Sequence, residues 1–162
     1  MKKFLLFNLI GEINQKMEEK FCIFFEKVMN NPDLPVLINI SSPGGNYTSA
    51  ISIYNMLSLI SDRVHCSITG ICSGVAALIF SVVPFEKRFA FHYASMTISA
   101  ISDELYISKN KELREIFSSS FDLDNDILND IFENKNDLII TGNKFIQFDI
   151  AGFVNHIDNI IR

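Results

Sequence analysis

After "MKK" the chain reads apolar almost without a break, "FLLFNLI", and polar, acidic sequence takes over at "GEINQKMEE". Asn8 interrupts the apolar run and no small-residue cleavage site follows, so this segment predicts a first β-strand rather than a secretion signal. Met17, Phe21, Phe24, Phe25 and Val28 then recur at the spacing of one helical face, with Asn14 placed to cap a helix running to about Asn30. "NNPDLP" ends that helix. "VLINI" at 36–40 is an unbroken apolar run of strand length, the pattern of a strand covered on both faces. "SSPGGN" turns the chain into a second helix over about 47–60, with Ile51, Tyr54, Leu57 and Ile60 on its apolar face. "RVHCSIT" at 63–69 predicts a third strand, followed by Gly70, a turn at Ser73-Gly74 and a helix near 74–83. "KRFAF" and "SMTISAI" are two short strand patterns. A long polar helix at about 103–117, a shorter one at about 124–132, the strand "DLII", the helix "NKFIQFDIA" and the strand "GFVNHI" complete the order. Alternating β and α elements imply βαβ units and a mainly parallel sheet. With no repeat or linker, residues 1–162 are expected to form one α/β domain.

Composition narrows the function classes. A chain of 162 residues, 48% apolar and 20% charged, can bury a sizeable core and is not of the disordered type. Its net charge of −5 leaves no basic stripe to hold phosphates, which argues against a nucleic-acid partner. Beyond the first strand the longest apolar run, 75–80, is far short of the ~20 residues that span a bilayer, so no membrane is expected either. Cys22, Cys66 and Cys72 are odd in number and lack framework spacing, which points to reduced thiols in a cytoplasmic setting. No cofactor and no metal is expected.

Three segments carry a resemblance: "LINISSPGGNYTSAISIYNML", "GICSGVAALIF" at 70–80, and "EKRFAF". Together they resemble the proteolytic subunit of Clp protease, ClpP, a ring-forming serine peptidase of the crotonase-like superfold. The family reads I-N-S-P-G-G, an "AIYD"-like helix, G-x-A-A-S-M, G-K-R-F-A, and then a strand ending in the catalytic histidine. "LIGEIN" and "GFVNHI" are similar to its L-x-G-x-I and G-L-V-D-x-I segments, so the likeness spans nearly the whole chain. The resemblance implies a fold of repeated ββα units, a heptamer-like ring of like or mixed subunits, an AAA+ unfoldase partner, and a peptide or protein substrate. It also implies an oxyanion hole at Gly45 and Val75, where glycine lets the backbone approach a bound peptide.

The catalytic residues do not carry over. Aligned without gaps, the family's nucleophilic serine falls on Gly74 and its histidine on Ser99. The third member, an aspartate, falls on Asp137 in "NDLIIT". Ser73 stands one residue from the nucleophile position, a step that turns a side chain by ~100° about a helix start. As an alternative nucleophile it would need a base. His92, the histidine nearest position 99 in sequence, lies seven residues away, ~23 Å if extended. His65 and His156 fall in other strand patterns and read as structural imidazoles, and Cys72 reads as a buried thiol acting as a small hydrophobe. Asp137 with no histidine to orient has no triad role and reads as a cap or ion-pair partner.

Two departures touch assembly. The chain starts at the first strand, so the segment that forms the family's axial pore loops is expected to be missing. The stretch from Ser99 to Asp137 is also shorter than its counterpart by about three helical turns, which shortens the handle through which two rings stack. A catalytically degenerate ClpP-like ring subunit is the reading favoured here. An active Clp-type or phage-type serine endopeptidase using Ser73 is the alternative. An acyl-CoA enzyme of the same superfold lacks a glutamate near the turns to serve as base.

Overall fold

Asn14 caps the first helix as its position predicts: in the computed structural model, which describes residues 3–154, its side chain accepts the Met17 N–H at 3.1 Å. Strand β1 (Leu5–Ile10) precedes that helix, α1 (Gln15–Met29), which buries Phe21 and Val28 and lays Met17, Phe24 and Phe25 against the core. Next come β2 (Val36–Ser42), α2 (Tyr47–Ser58), β3 (Val64–Ser73) and α3 (Val75–Ser81). The remaining elements are β4 (Arg88–Ala90), β5 (Ser95–Ile98), α4 (Asn110–Ser120), α5 (Asn125–Phe132), β6 (Leu138–Thr141), α6 (Lys144–Gln147) and β7 (Gly152–Phe153). The main sheet runs β1-β2-β3-β4-β7, all parallel, as expected from its helical crossovers. All seven residues of α3 are buried, so this short helix is the centre of the core.

Strand β3 serves two partners in succession. Cys66, Ser67 and Ile68 pair with β4, while Ile71, Cys72 and Ser73 pair with β5. Strand β5 in turn pairs with β6, the one antiparallel ladder among the described residues. The expected strand at 63–69 is therefore too short by four residues. "GICS" is strand, because β5 supplies a ladder for it and Gly70 admits the side chain of Ser41, whose Oγ would lie 2.6 Å from a Cβ there.

Other expectations shift as well. The buried stripe of α2 is Ala50, Ile53 and Leu57; Ile51 and Tyr54 flank it, half-buried. The polar helix expected at about 103–117 begins at Asn110, after a turn in which Asp103 accepts the Leu105 N–H and a single 3₁₀ turn at Ile107–Lys109. The helix expected over "NKFIQFDIA" is confined to Lys144–Gln147, bounded by positive φ at Gly142 and Asp149. Of "GFVNHI", Gly152 and Phe153 form a strand, and His156 lies outside the described residues.

The arginine of "KRFA" is structural. Arg88 is buried, and its guanidinium donates to the carbonyls of Val83, Ser81 and Ser120, tying the end of α3 to the end of α4. It also lies 5.0 Å from the centroid of the Phe121 ring. Burial pushes its pKa down to about 10. A lysine keeps the charge but cannot present the planar fork. Arg88→Lys is expected to lower stability by about 2 kcal/mol, read as an earlier urea midpoint with unchanged slope.

Candidate functional site

The "SPGG" loop is shaped by contacts that only glycine permits. Gly44 has φ +97°, and a Cβ there would sit 2.7 Å from the Ser73 carbonyl oxygen. Gly45 has φ +144°, and a Cβ there would sit 2.2 Å from the Ile13 carbonyl oxygen. Ile13 donates its N–H to the Gly44 carbonyl at 2.8 Å and accepts from the Asn46 N–H at 2.7 Å, so the loop is locked onto the residue just before α1. Asn46 then caps α2 by accepting the Ser49 N–H at 3.0 Å.

One residue, Gly74, makes the whole turn from β3 into α3. Its φ of +55° and ψ of −123° lie where side-chain-bearing residues are strained. Its N–H donates to the Thr97 carbonyl at 3.0 Å, and its own carbonyl accepts the Ala77 N–H at 3.0 Å. A Cβ on Gly74 would meet nothing within 4 Å. Sharp strand-to-helix turns of this kind are how a hydroxyl nucleophile is held outward.

Gly44, Gly45, Gly74, Val75 and Ser99 line a single cavity of about 200 Å³. Gly74 and Ser99 reach it because β5 lies beside β3, so the end of one strand abuts the turn that ends the other. Among the described residues neither the Gly45 nor the Val75 amide donates to a protein acceptor. Two such amides at one cavity suit a carbonyl or oxyanion. Asp103 also lines the cavity, and the Glu12 side chain lies against Gly45, its Cγ 3.0 Å from where a Cβ would stand, so a glutamate does stand near this turn, contrary to the expectation from the sequence. Ser73 does not line the cavity, and it sits in the β3–β5 ladder opposite Thr97.

Among the described residues no histidine lines the cavity. His92, in the turn after β4, stacks on Phe153 with centroids 5.1 Å apart. His65, near the start of β3, is stacked on Phe89, and burial holds its pKa below the usual imidazole value with a further push from Lys87. Cys72 is fully buried, and burial pushes its thiol pKa well above the usual value. As expected, Cys72 packs as a small apolar residue.

Asp137 falls outside the cavity wall and is exposed. The β5–β6 ladder ends on the pair Ile98–Leu138, so Ser99 and Asp137 are each the next residue beyond it. Among the described residues Asp137 neither caps a helix nor pairs with a cation, contrary to expectation. Asp130 closes that loop instead, accepting from the side chains of Asn134 and Asn136, which lowers its pKa. Sequence reasoning missed Tyr47, Tyr106 and Ile101, which also line the cavity. Tyr47 lay in the segment read as the second helix, Ile101 at the end of a strand pattern and Tyr106 in a segment read as a polar helix, so no shared pattern pointed to them.

With this geometry in hand, the kinship is decided by a family model described as Clp protease, which matches residues 3–127. The chain belongs to the Clp protease family. It is 32% identical over 80 residues to the ATP-dependent Clp protease proteolytic subunit 3 of Rhizobium johnstonii, 49% of this chain and 41% of that protein. It is 26% identical over 125 residues to the subunit 3 of Rhizobium meliloti, 69% of this chain and 64% of that protein. The matches thus span from under half to under two thirds of these relatives. Among solved structures, ClpP1 from Listeria monocytogenes superposes with a TM-score of 0.84 at 18% identity, covering 96% of this chain and 94% of that one. A peptidase from Plasmodium falciparum superposes with a TM-score of 0.74 at 17% identity, covering 93% and 95%. The ClpP-like α/β fold stands. No helix among the described residues is long and apolar enough to cross a membrane.

Proposed function

We propose that this chain is a catalytically degenerate Clp protease subunit, a structural or regulatory member of a cytoplasmic ring assembled with like or active ClpP-type subunits. The observation that carries this reading is the lining of one cavity. Gly74 and Ser99, on which the ungapped family resemblance puts the nucleophile and its base, both line it, and no described histidine joins them. Asp137, the third triad position, is then a remnant, one register step beyond the last β5–β6 pair. The amides of Gly45 and Val75 persist in the cavity as an oxyanion site for a peptide carbonyl that is bound and not cleaved. An AAA+ unfoldase partner and a peptide or protein ligand follow from the family. Losing the nucleophile and the base together fits a redirected role, since either group alone does little.

Incubation with a fluorophosphonate across mildly acid to basic pH tests this. The expected result is no labelling of the purified chain and no cleavage of casein or short fluorogenic peptides. Labelling at Ser73, abolished by Ser73→Ala along with any cleavage, would establish the active serine endopeptidase instead.

A further inference from the structure

Between the end of β5 and the start of α4 the chain has no ladder partner, yet it forms one wall of the cavity. Residues 99–106 make no backbone hydrogen bond to the sheet or to the glycine loop among the described residues. The bonds within the segment are local: Tyr106 N–H to the Asp103 carbonyl, and Leu105 N–H to the Asp103 carboxylate. Besides the packing of half-buried Ile101 on the core, two contacts hold it down. The first is the side-chain amide of Asn110, at the start of α4, which accepts the Ile101 N–H at 2.7 Å and donates to the Ile101 carbonyl at 2.9 Å. A single side chain thus satisfies both polar groups of Ile101, as a neighbouring strand would. The second is the Tyr106 ring, which packs on Tyr47 at the start of α2, centroids 5.5 Å apart and planes inclined by 35°. Tyr47 stands directly after the glycine loop, so the aromatic pair reaches from one rim of the cavity to the other.

We infer that residues 99–106 form a hinged strap over the cavity, latched by Asn110 and closed by the Tyr47–Tyr106 contact, and that its opening controls what enters. Segments with few buried contacts and only local backbone bonds open at small cost. The cleft beside the strap, about 200 Å³ and partly open to solvent, has room for little more than one or two residues of a chain, so an extended peptide requires the strap displaced. The inference concerns access alone and holds whether or not the cavity does chemistry, so it stands or falls separately from the degenerate-subunit reading.

A reporter thiol in the cavity tests it. Cys22 is the exposed cysteine and is removed as Cys22→Ser; Ser99→Cys then places a thiol on the cavity wall, while buried Cys66 and Cys72 report any unfolding. Alkylation is followed with iodoacetamide and with a bulky pyrene maleimide. Adding Tyr106→Ala or Asn110→Ala is expected to raise the pyrene maleimide rate by about tenfold or more and the iodoacetamide rate by less, since each removes one of these two contacts and leaves the packing of Ile101 in place. Lys109→Ala, which breaks an exposed ion pair with Glu112 at the same helix start, is the control and is expected to change neither rate. Equal rates in parent, Tyr106→Ala and Asn110→Ala overturn the strap, as does an equal acceleration by Lys109→Ala. If an alanine variant also exposes Cys66, Asn110→Asp, which keeps the acceptor for Ile101 N–H and loses the donor, takes its place under the same criteria.

Discussion

Gly74→Ser combined with Ser99→His is expected to turn this chain into a target for fluorophosphonates, with the label on residue 74. The route is short. A Cβ on residue 74 projects into open space, the Gly45 and Val75 amides border the same cavity, and Asp137 and residue 99 are each the next residue beyond the last β5–β6 pair. A positioned base contributes roughly 10²–10⁴ in rate, so Gly74→Ser alone should label at least ~10²-fold more slowly than the pair. Adding Asp137→Asn should remove most of the gain, because the new imidazole then lacks its orienting partner. Mass spectrometry of the labelled peptide settles the site. If the double variant folds with its buried thiols protected and still takes no label, Gly74 and Ser99 are not the nucleophile and base positions.

The glycines of this site should separate sharply when each is given a methyl group. Gly45→Ala places a carbon 2.2 Å from the Ile13 carbonyl oxygen at a φ that side chains rarely adopt, so the loop must leave α1's entry or distort. Strain and overpacking together are expected to cost about 4 kcal/mol. For a chain of this size that lowers the melting temperature by roughly 10 °C. Gly74→Ala meets no atom within 4 Å and has only the backbone strain to bear, about 1–2 kcal/mol. Differential scanning calorimetry of the two variants checks the order. Equal losses would mean that the locked loop contributes nothing beyond its dihedral angles.

The same contrast marks what could be read from the residues alone. Asn14 and the Phe21–Val28 stripe announced α1 because a cap and a helical period are local signals. Gly74 and Ser99 were placed by an ungapped family register, and the fold brings both to one cavity through the β3–β5 ladder. Local pattern could not supply that ladder. Thr69 and Gly70 looked like the end of a strand, when a second partner was waiting farther along the chain. The strap was divided between a strand pattern ending at Ile101 and a helix starting at about 103 for the same reason: Ile101 is satisfied by one side chain nine residues on, and Tyr106 by a ring on α2, neither of which leaves a period. Asp137 was matched by motif order, but its exposure depends on how α5 and β6 meet, which motif order does not encode.

The fork in β3 has a consequence for how such a protein wears. One branch, with β4 and β7, belongs to the main sheet over the buried helix; the other, three pairs with β5, fixes where residue 99 stands relative to residue 74. Thermal resistance and alignment are thereby entrusted to different parts of one strand. Substitutions that slacken the β5 branch can drift the two positions apart while the bulk of the molecule melts as before, leaving a sturdy scaffold on which chemistry can lapse without the fold noticing.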